Sequence, residues 1–148
     1  MIEANPRYVR FVSEPVNPKT ENLSLLFSTL EIELKNSEVP GVGLAAVQIG
    51  QLKRAAIIRL GKSELNMWNP VVISREGSVV SPEGCLSFPG VTRSVRRAKE
   101  VTIQNGDGRR YVFTGFEAIV AQHELDHMDG ITIVEQPYAA EKIGRNKL

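Results

Sequence analysis

The chain changes its periodicity twice, near Pro40 and again near Thr114, and this order of patterns restricts its fold more than any other feature. Before Pro40, Leu23, Leu26, Phe27, Leu30 and Leu34 recur three or four positions apart, one apolar stripe of an amphipathic helix. From Pro40 and Gly41 to about residue 113 the runs RAAIIRL, VVISREG, KEVTIQN and RRYVFT are short, rich in β-branched or aromatic residues, and separated by Gly, Pro and Asn. They read as strands. Between the last two, QNGDGRR offers Asn-Gly and Asp-Gly, which tolerate positive φ and suit an antiparallel hairpin. TGFEAIVAQHELDHMDG then reads as a second helix, with Thr114 and Glu117 spaced as a capping box and Gly130 placed to end it. The expected class is α+β: antiparallel sheets packed around a central helix, with an N-terminal amphipathic helix.

At 148 residues, 42% hydrophobic, the chain is expected to form one domain over 1–148. A formal net charge of +1 supplies no broad attraction for DNA or an anionic membrane. No apolar run approaches the ~18 residues that span a bilayer, and MIEANPRYVR lacks the basic start of a signal peptide. A soluble cytoplasmic protein is expected. The single cysteine, Cys85, allows no internal disulfide.

Both histidines of the chain fall within QHELDH, residues 122–127. Four positions apart on a helix, His123 and His127 aim their rings at one point. Glu124 reaches the neighbouring side of that point, where a carboxylate can deprotonate a water activated by an ion, the mechanical content of HExxH. The bland alternative is two histidines on a half-buried helix face. A catalytic ion needs a third protein ligand and an open fourth position. The metzincin continuation fails, because the third histidine it requires is Ile133 here. Glu135 and Glu141 are carboxylate candidates, cramped by Pro137. Cys85, in SPEGCLSFPG, is the remaining one: a lone cysteine is often a small buried hydrophobe, but one thiolate and two imidazoles make a complete ligand set.

GVGLAAVQ (41–48), EGCLS (83–87) and QHELDH, with Asn69-Pro70 between them, together resemble the three signature motifs of the peptide deformylases, in that family's order and over most of the chain. The resemblance implies a hydrolase that removes the formyl group from the initiator methionine of nascent peptides and releases formate. It implies one divalent ion, natively Fe(II), with Zn(II), Ni(II) and Co(II) also accepted, held by Cys85, His123 and His127. Glu124 would take a proton from the attacking water and return it to the departing amine. Gln48, through its side-chain amide, and Leu86, through its backbone N–H, would donate to the oxyanion. Val42 and Gly43 could pair with an extended peptide as an added edge strand. Ile119 and Val120, with Phe116 at the edge, could line the methionine pocket, and Glu83 and Gly84 fall on the substrate side. Asp126 is assigned to structure and Gln122 to orienting a group behind the ligands.

The likeness departs at two places. Where relatives carry an arginine seven residues beyond the motif cysteine, this chain has Thr92, with Arg93 one place later. Only EQPYAAEKIGRNKL follows Val134 instead of the long C-terminal helix associated with ribosome docking, so the resemblance is to a short form. Lys142, Arg145 and Lys147 in that tail leave transient ribosome contact as a partner to consider. Two other readings stay open: a different HExxH metallopeptidase with a carboxylate third ligand, and a deformylase-like domain that binds ribosomes without chemistry.

Overall fold

The computed structural model describes residues 7–37 and 42–135. Pro40, Gly41, Glu141, Lys142, Arg145 and Lys147 therefore lie outside the described residues. Among the described residues, no helix is long and apolar enough to cross a membrane.

Helix α1, Leu23–Lys35, buries Leu26, Phe27, Leu30 and Leu34, four members of the expected stripe. The Asn22 side chain caps it by accepting the Leu25 N–H at 3.0 Å, which satisfies one otherwise orphaned donor of the first turn. Strands β1 (Gly43–Ala45), β2 (Ala55–Leu60) and β3 (Ser63–Trp68) form an antiparallel sheet in the order β1-β2-β3. Its two faces divide by parity, as the pleat requires. Leu44, Ala55 and Ile57 pack with α1, while Ala45, Ala56 and Ile58 pack toward the second helix. With both faces covered, β2 needs an unbroken apolar run, and AAII supplies it.

Strands β4 (Val71–Glu76), β7 (Glu100–Gln104) and β8 (Arg110–Thr114) form a second antiparallel sheet in the order β4-β7-β8. The β7–β8 hairpin matches the turn chemistry expected of QNGDGRR, with Gly108 at φ 86°. Its Asn105 binds the first sheet: Oδ1 accepts the Trp68 N–H at 2.8 Å and Nδ2 donates to the Asn66 carbonyl at 3.0 Å. The chain passes from β8 directly into α2, Gly115–Met128. The expected capping box does not form. Thr114 is extended, its side chain makes no capping hydrogen bond, and Gly115 at φ 60° sets the entry angle instead. At the other end Gly130, at φ 74°, donates to the His127 carbonyl while Ile131 donates to that of Asp126, the paired bonds of a glycine-ended helix.

Four strands went unread in the sequence. β1 and β3 are short or polar. β5 (Val79–Cys85) and β6 (Phe88–Arg97) form a separate two-stranded hairpin with a two-residue turn at Leu86 and Ser87. SPEGCLSFPG, with Pro82, Gly84, Pro89 and Gly90 around Cys85, carries turn-forming residues within these strands. Its strands carry no apolar alternation because the side chains they bury include Ser81, Glu83 and Arg97. The hairpin buries the Glu83–Arg97 ion pair alongside Phe88 and Val95.

Candidate metal centre

Residues 38 positions apart are brought together by two rigid elements, the end of β5 and the third turn of α2. The ligand atoms of Cys85, His123 and His127 lie within 4.8 Å of one another, the one such group among the described residues. Cys85 Sγ is 3.4 Å from His127 Nε2. The two imidazole rings stand edge to face with centroids 5.0 Å apart. His123 turns Nδ1 to Glu83 Oε1 at 2.9 Å; with Nδ1–H donating there, Nε2 is the ring atom left for an ion.

Glu83 is itself held. Arg97 Nε donates to Oε2 at 2.8 Å and Nη2 to Oε1 at 2.7 Å, a bidentate fork, and its Nη1 also donates to Asp126. The side chains of Arg97 and Glu83 are 4% and 6% exposed, so this pair works in low dielectric. Burial alone pushes the Glu83 carboxyl up, but Arg97 and His123 outweigh it and hold it at about 2. His123 is likewise pushed down by burial and raised further by the Cys85 sulfur and the Glu83 and Glu124 carboxylates, to about 10 without an ion. His127 stays well below the usual histidine range, first through burial and then through the positive charge of His123 and Arg97. An ion at this point would take the place of a proton on His123.

Glu124 is 3% exposed, and its Oε1 has no hydrogen-bond partner among the described residues. Burial lifts its carboxyl to about 7 despite the opposing charges of His123 and Arg97. A nearby divalent cation would pull it back down. The buried Nδ1 of His127 is also without a partner among the described residues. A thiolate, two imidazole nitrogens and an unpartnered carboxylate beside them are the donor set of an open catalytic ion site, so the residues fit a borderline divalent metal.

Around this centre lies a cavity of about 550 Å³. Val42, Gly43, Gln48, Leu86, Gly84, Phe116, Ile119 and Val120 all line it, as do Cys85, His123 and Glu124. Gln48 Oε1 accepts the Ala45 N–H at 2.9 Å, which turns Nε2 toward Ser87 Oγ at 3.1 Å and Cys85 Sγ at 3.6 Å. Phe116 is 63% exposed and stands at the rim.

The assignment of Glu83 to substrate changes here. It lines the cavity, yet both its carboxylate oxygens are taken by Arg97 and His123. Gln122 does not touch the ligands; it clamps the backbone of Ala98 by accepting at 2.9 Å and donating at 3.0 Å, which fastens α2 to the end of β6. Thr92 lines the cavity, whereas Arg93 is exposed and donates to the Thr92 carbonyl. Arg97 escaped the sequence reading. Its signal was the polar inward face of two strands, which looks like loop until the pair is seen.

The family model of polypeptide deformylases matches residues 2–142. This chain belongs to the polypeptide deformylase family. A peptide deformylase of Desulfitobacterium hafniense is 37% identical over 141 residues, covering 92% of each chain. The crystal structure of a peptide deformylase from Legionella pneumophila superposes with a TM-score of 0.81 at 30% identity, covering 99% of this chain and 96% of that one. The deformylase of the Vibrio parahaemolyticus bacteriophage VP16T, solved in complex with actinonin, superposes with a TM-score of 0.77 at 29% identity, covering 90% of this chain and 98% of that one. Antiparallel sheets with helices are the deformylase fold, and the activity is metal-dependent hydrolysis that removes the formyl group from the N-terminal methionine of new peptides.

One contact makes this deformylase site sensitive to a single methyl group. A Cβ at Gly43 would stand 2.5 Å from Glu124 Oε2 and 3.1 Å from its carboxyl carbon. The Glu124 carboxylate would have to shift within the cavity to make room. Gly43→Ala is expected to lower kcat about 10²-fold, the cost of misplacing a reacting group by about 1 Å, with metal content unchanged by elemental analysis.

Proposed function

We propose that Cys85, His123 and His127 hold one divalent ion and that Glu124 is the general base and acid of deformylation. The observation that carries this reading is the convergence of the three ligand atoms within 4.8 Å beside a buried, unpartnered carboxylate. When bound, the ion supplies a Lewis acid that lowers the pKa of water toward 7 and polarises the formyl carbonyl. Glu124 takes the proton from the attacking water at Oε1 and delivers it to the leaving amine, one carboxylate acting twice. Gln48 Nε2 and the Leu86 N–H donate to the oxygen that gains charge, and the Ala45 hydrogen bond keeps the Gln48 amide turned that way.

The peptide has an edge to bind. β1 is the outer strand of its sheet. Ala45 N–H points away from β2 to Gln48, so Gly43, two residues earlier, turns its backbone groups to the same open side. An extended peptide pairing there would run past Val42, with its methionine between Ile119 and Val120 and Phe116 at the mouth. Gly84 stands on the opposite wall. In this reading residues 1–148 are one catalytic domain around the HExxH helix, flanked by the amphipathic α1, and the native ion is Fe(II), with Zn(II), Ni(II) or Co(II) as substitutes.

The test is formate release from formyl-Met-Ala-Ser with Fe(II) or Ni(II) under anaerobic conditions. Turnover no higher than that of Glu124→Ala would overturn the proposal. Cys85→Ser separates this ligand set from a carboxylate third ligand: it is expected to weaken metal binding by at least the roughly 10 to 100-fold that loss of an outer partner costs. Undiminished binding in a chelator competition would point elsewhere in the chain.

A further inference from the structure

We propose that the cleft behind the metal centre is a binding site for a small phosphate-bearing ligand, of the size and chemistry of a nucleoside diphosphate. This cleft, about 570 Å³, lies between β4, the end of β6 and α2, and shares no lining residue with the metal cavity. The two are separated by the buried ion pair: Arg97 lines the rear cleft and Glu83 the front cavity.

Four arginines, Arg54, Arg75, Arg96 and Arg97, face the rear cleft against two acids, Asp126 and Asp129. Both acids are already engaged, Asp126 by Arg97 and Asp129 by Arg54 at 2.8 Å. That leaves Arg75, which has no partner among the described residues, and Arg96, which holds the Ser78 hydroxyl at 2.8 Å. Glu76 follows Arg75 on the opposite face of β4 and is not part of the lining. Two guanidinium forks open to one cleft match a diphosphate, because each can give two parallel hydrogen bonds to phosphate oxygens.

Beside these charges the lining carries apolar Val72, Ala98 and Leu125, together with Ser78 and Gln122, whose amide is already held by the Ala98 backbone. An apolar floor beside paired cations suits a flat ring carrying phosphates better than inorganic phosphate alone, and the volume falls in the range of small-molecule sites. A long nucleic acid is disfavoured, since the chain carries a formal charge of only +1. Having no lining residue in common with the substrate cavity, this is the position of an effector rather than of a substrate.

The experiment uses the zinc-loaded enzyme, titrated at low salt with ADP, pyrophosphate and adenosine by calorimetry and by amide NMR. ADP is expected to bind more tightly than pyrophosphate or adenosine and to shift the amides of Gly77 and Ser78. Arg75→Gln/Arg96→Gln is expected to weaken ADP binding about tenfold or more, and should still deformylate formyl-Met-Ala-Ser at the normal rate. Should the double variant fold poorly, Arg75→Gln alone serves, with the amide shifts as the independent reading. Equal affinity in the variant, shifts confined to Gly43 and Leu86 beside the ion, or no binding at millimolar ADP would each overturn the site.

Discussion

Glu124→Gln is expected to leave the ion in place and reduce kcat by 10² to 10⁴-fold, the range that a positioned general acid and base contributes. Glutamine keeps the shape of the side chain and its fit against Gly43, so the loss isolates proton transfer from packing. The amide can neither take a proton from water nor give one to the amine. Two measurements check this: steady-state formate release, and metal content after gel filtration. The pH profile adds a sign. A base must be deprotonated to act, so wild-type activity rises with pH through the pKa of the Glu124 carboxyl. Burial sets that carboxyl at about 7 and the bound ion lowers it. The residual activity of Glu124→Gln should lack that acidic limb. A variant with near-normal kcat would remove Glu124 from the mechanism.

Arg97→Met is expected to cost the fold about 3 to 5 kcal/mol, the penalty for leaving one partner of a buried ion pair alone. Nothing else described is placed to replace it: Glu83 would keep only its His123 contact, with one carboxylate oxygen bare in a site 6% exposed. On the order of 10 °C would be lost from Tm for a chain of this size. The double variant Glu83→Gln/Arg97→Met should recover part of the loss, because the uncompensated charge is gone. Thermal melts of the two variants decide it; equal destabilisation in both would show that lost packing, not the stranded carboxylate, is responsible. The Glu83 carboxylate that fixes the His123 ring also loses its own anchor, so metal affinity should fall in Arg97→Met even where the protein remains folded.

Much of this arrangement was legible from residue order. The spacing of His123, Glu124 and His127 is a local property of one helix: four residues make one turn, and no other part of the chain is needed to put two rings on one side. The α1 stripe and the AAII run of β2 were readable for the same reason, since burial on a fixed face imposes a fixed period. The β7–β8 hairpin followed from turn residues alone. What escaped has a common cause. β5 and β6 bury an ion pair where most hairpins bury aliphatic groups, so their pattern looks polar and broken by Pro82, Gly84 and Gly90. The capping box at Thr114 was spaced correctly and still did not form, because β8 runs into α2 with Gly115 setting the geometry.

By itself the amino-acid sequence determined the chemistry available: one thiol, two imidazoles a helical turn apart, and a carboxylate beside them, because these are set by composition and by the period of a helix. Only the tertiary structure decided how that chemistry is held. The fork from Arg97 to Glu83, the contact of Glu83 with His123 and the closeness of Gly43 to Glu124 join residues that are distant in the chain. Long-range electrostatic partners leave no periodic trace, since a buried charge is stabilised by whatever the fold brings against it rather than by its neighbours in sequence.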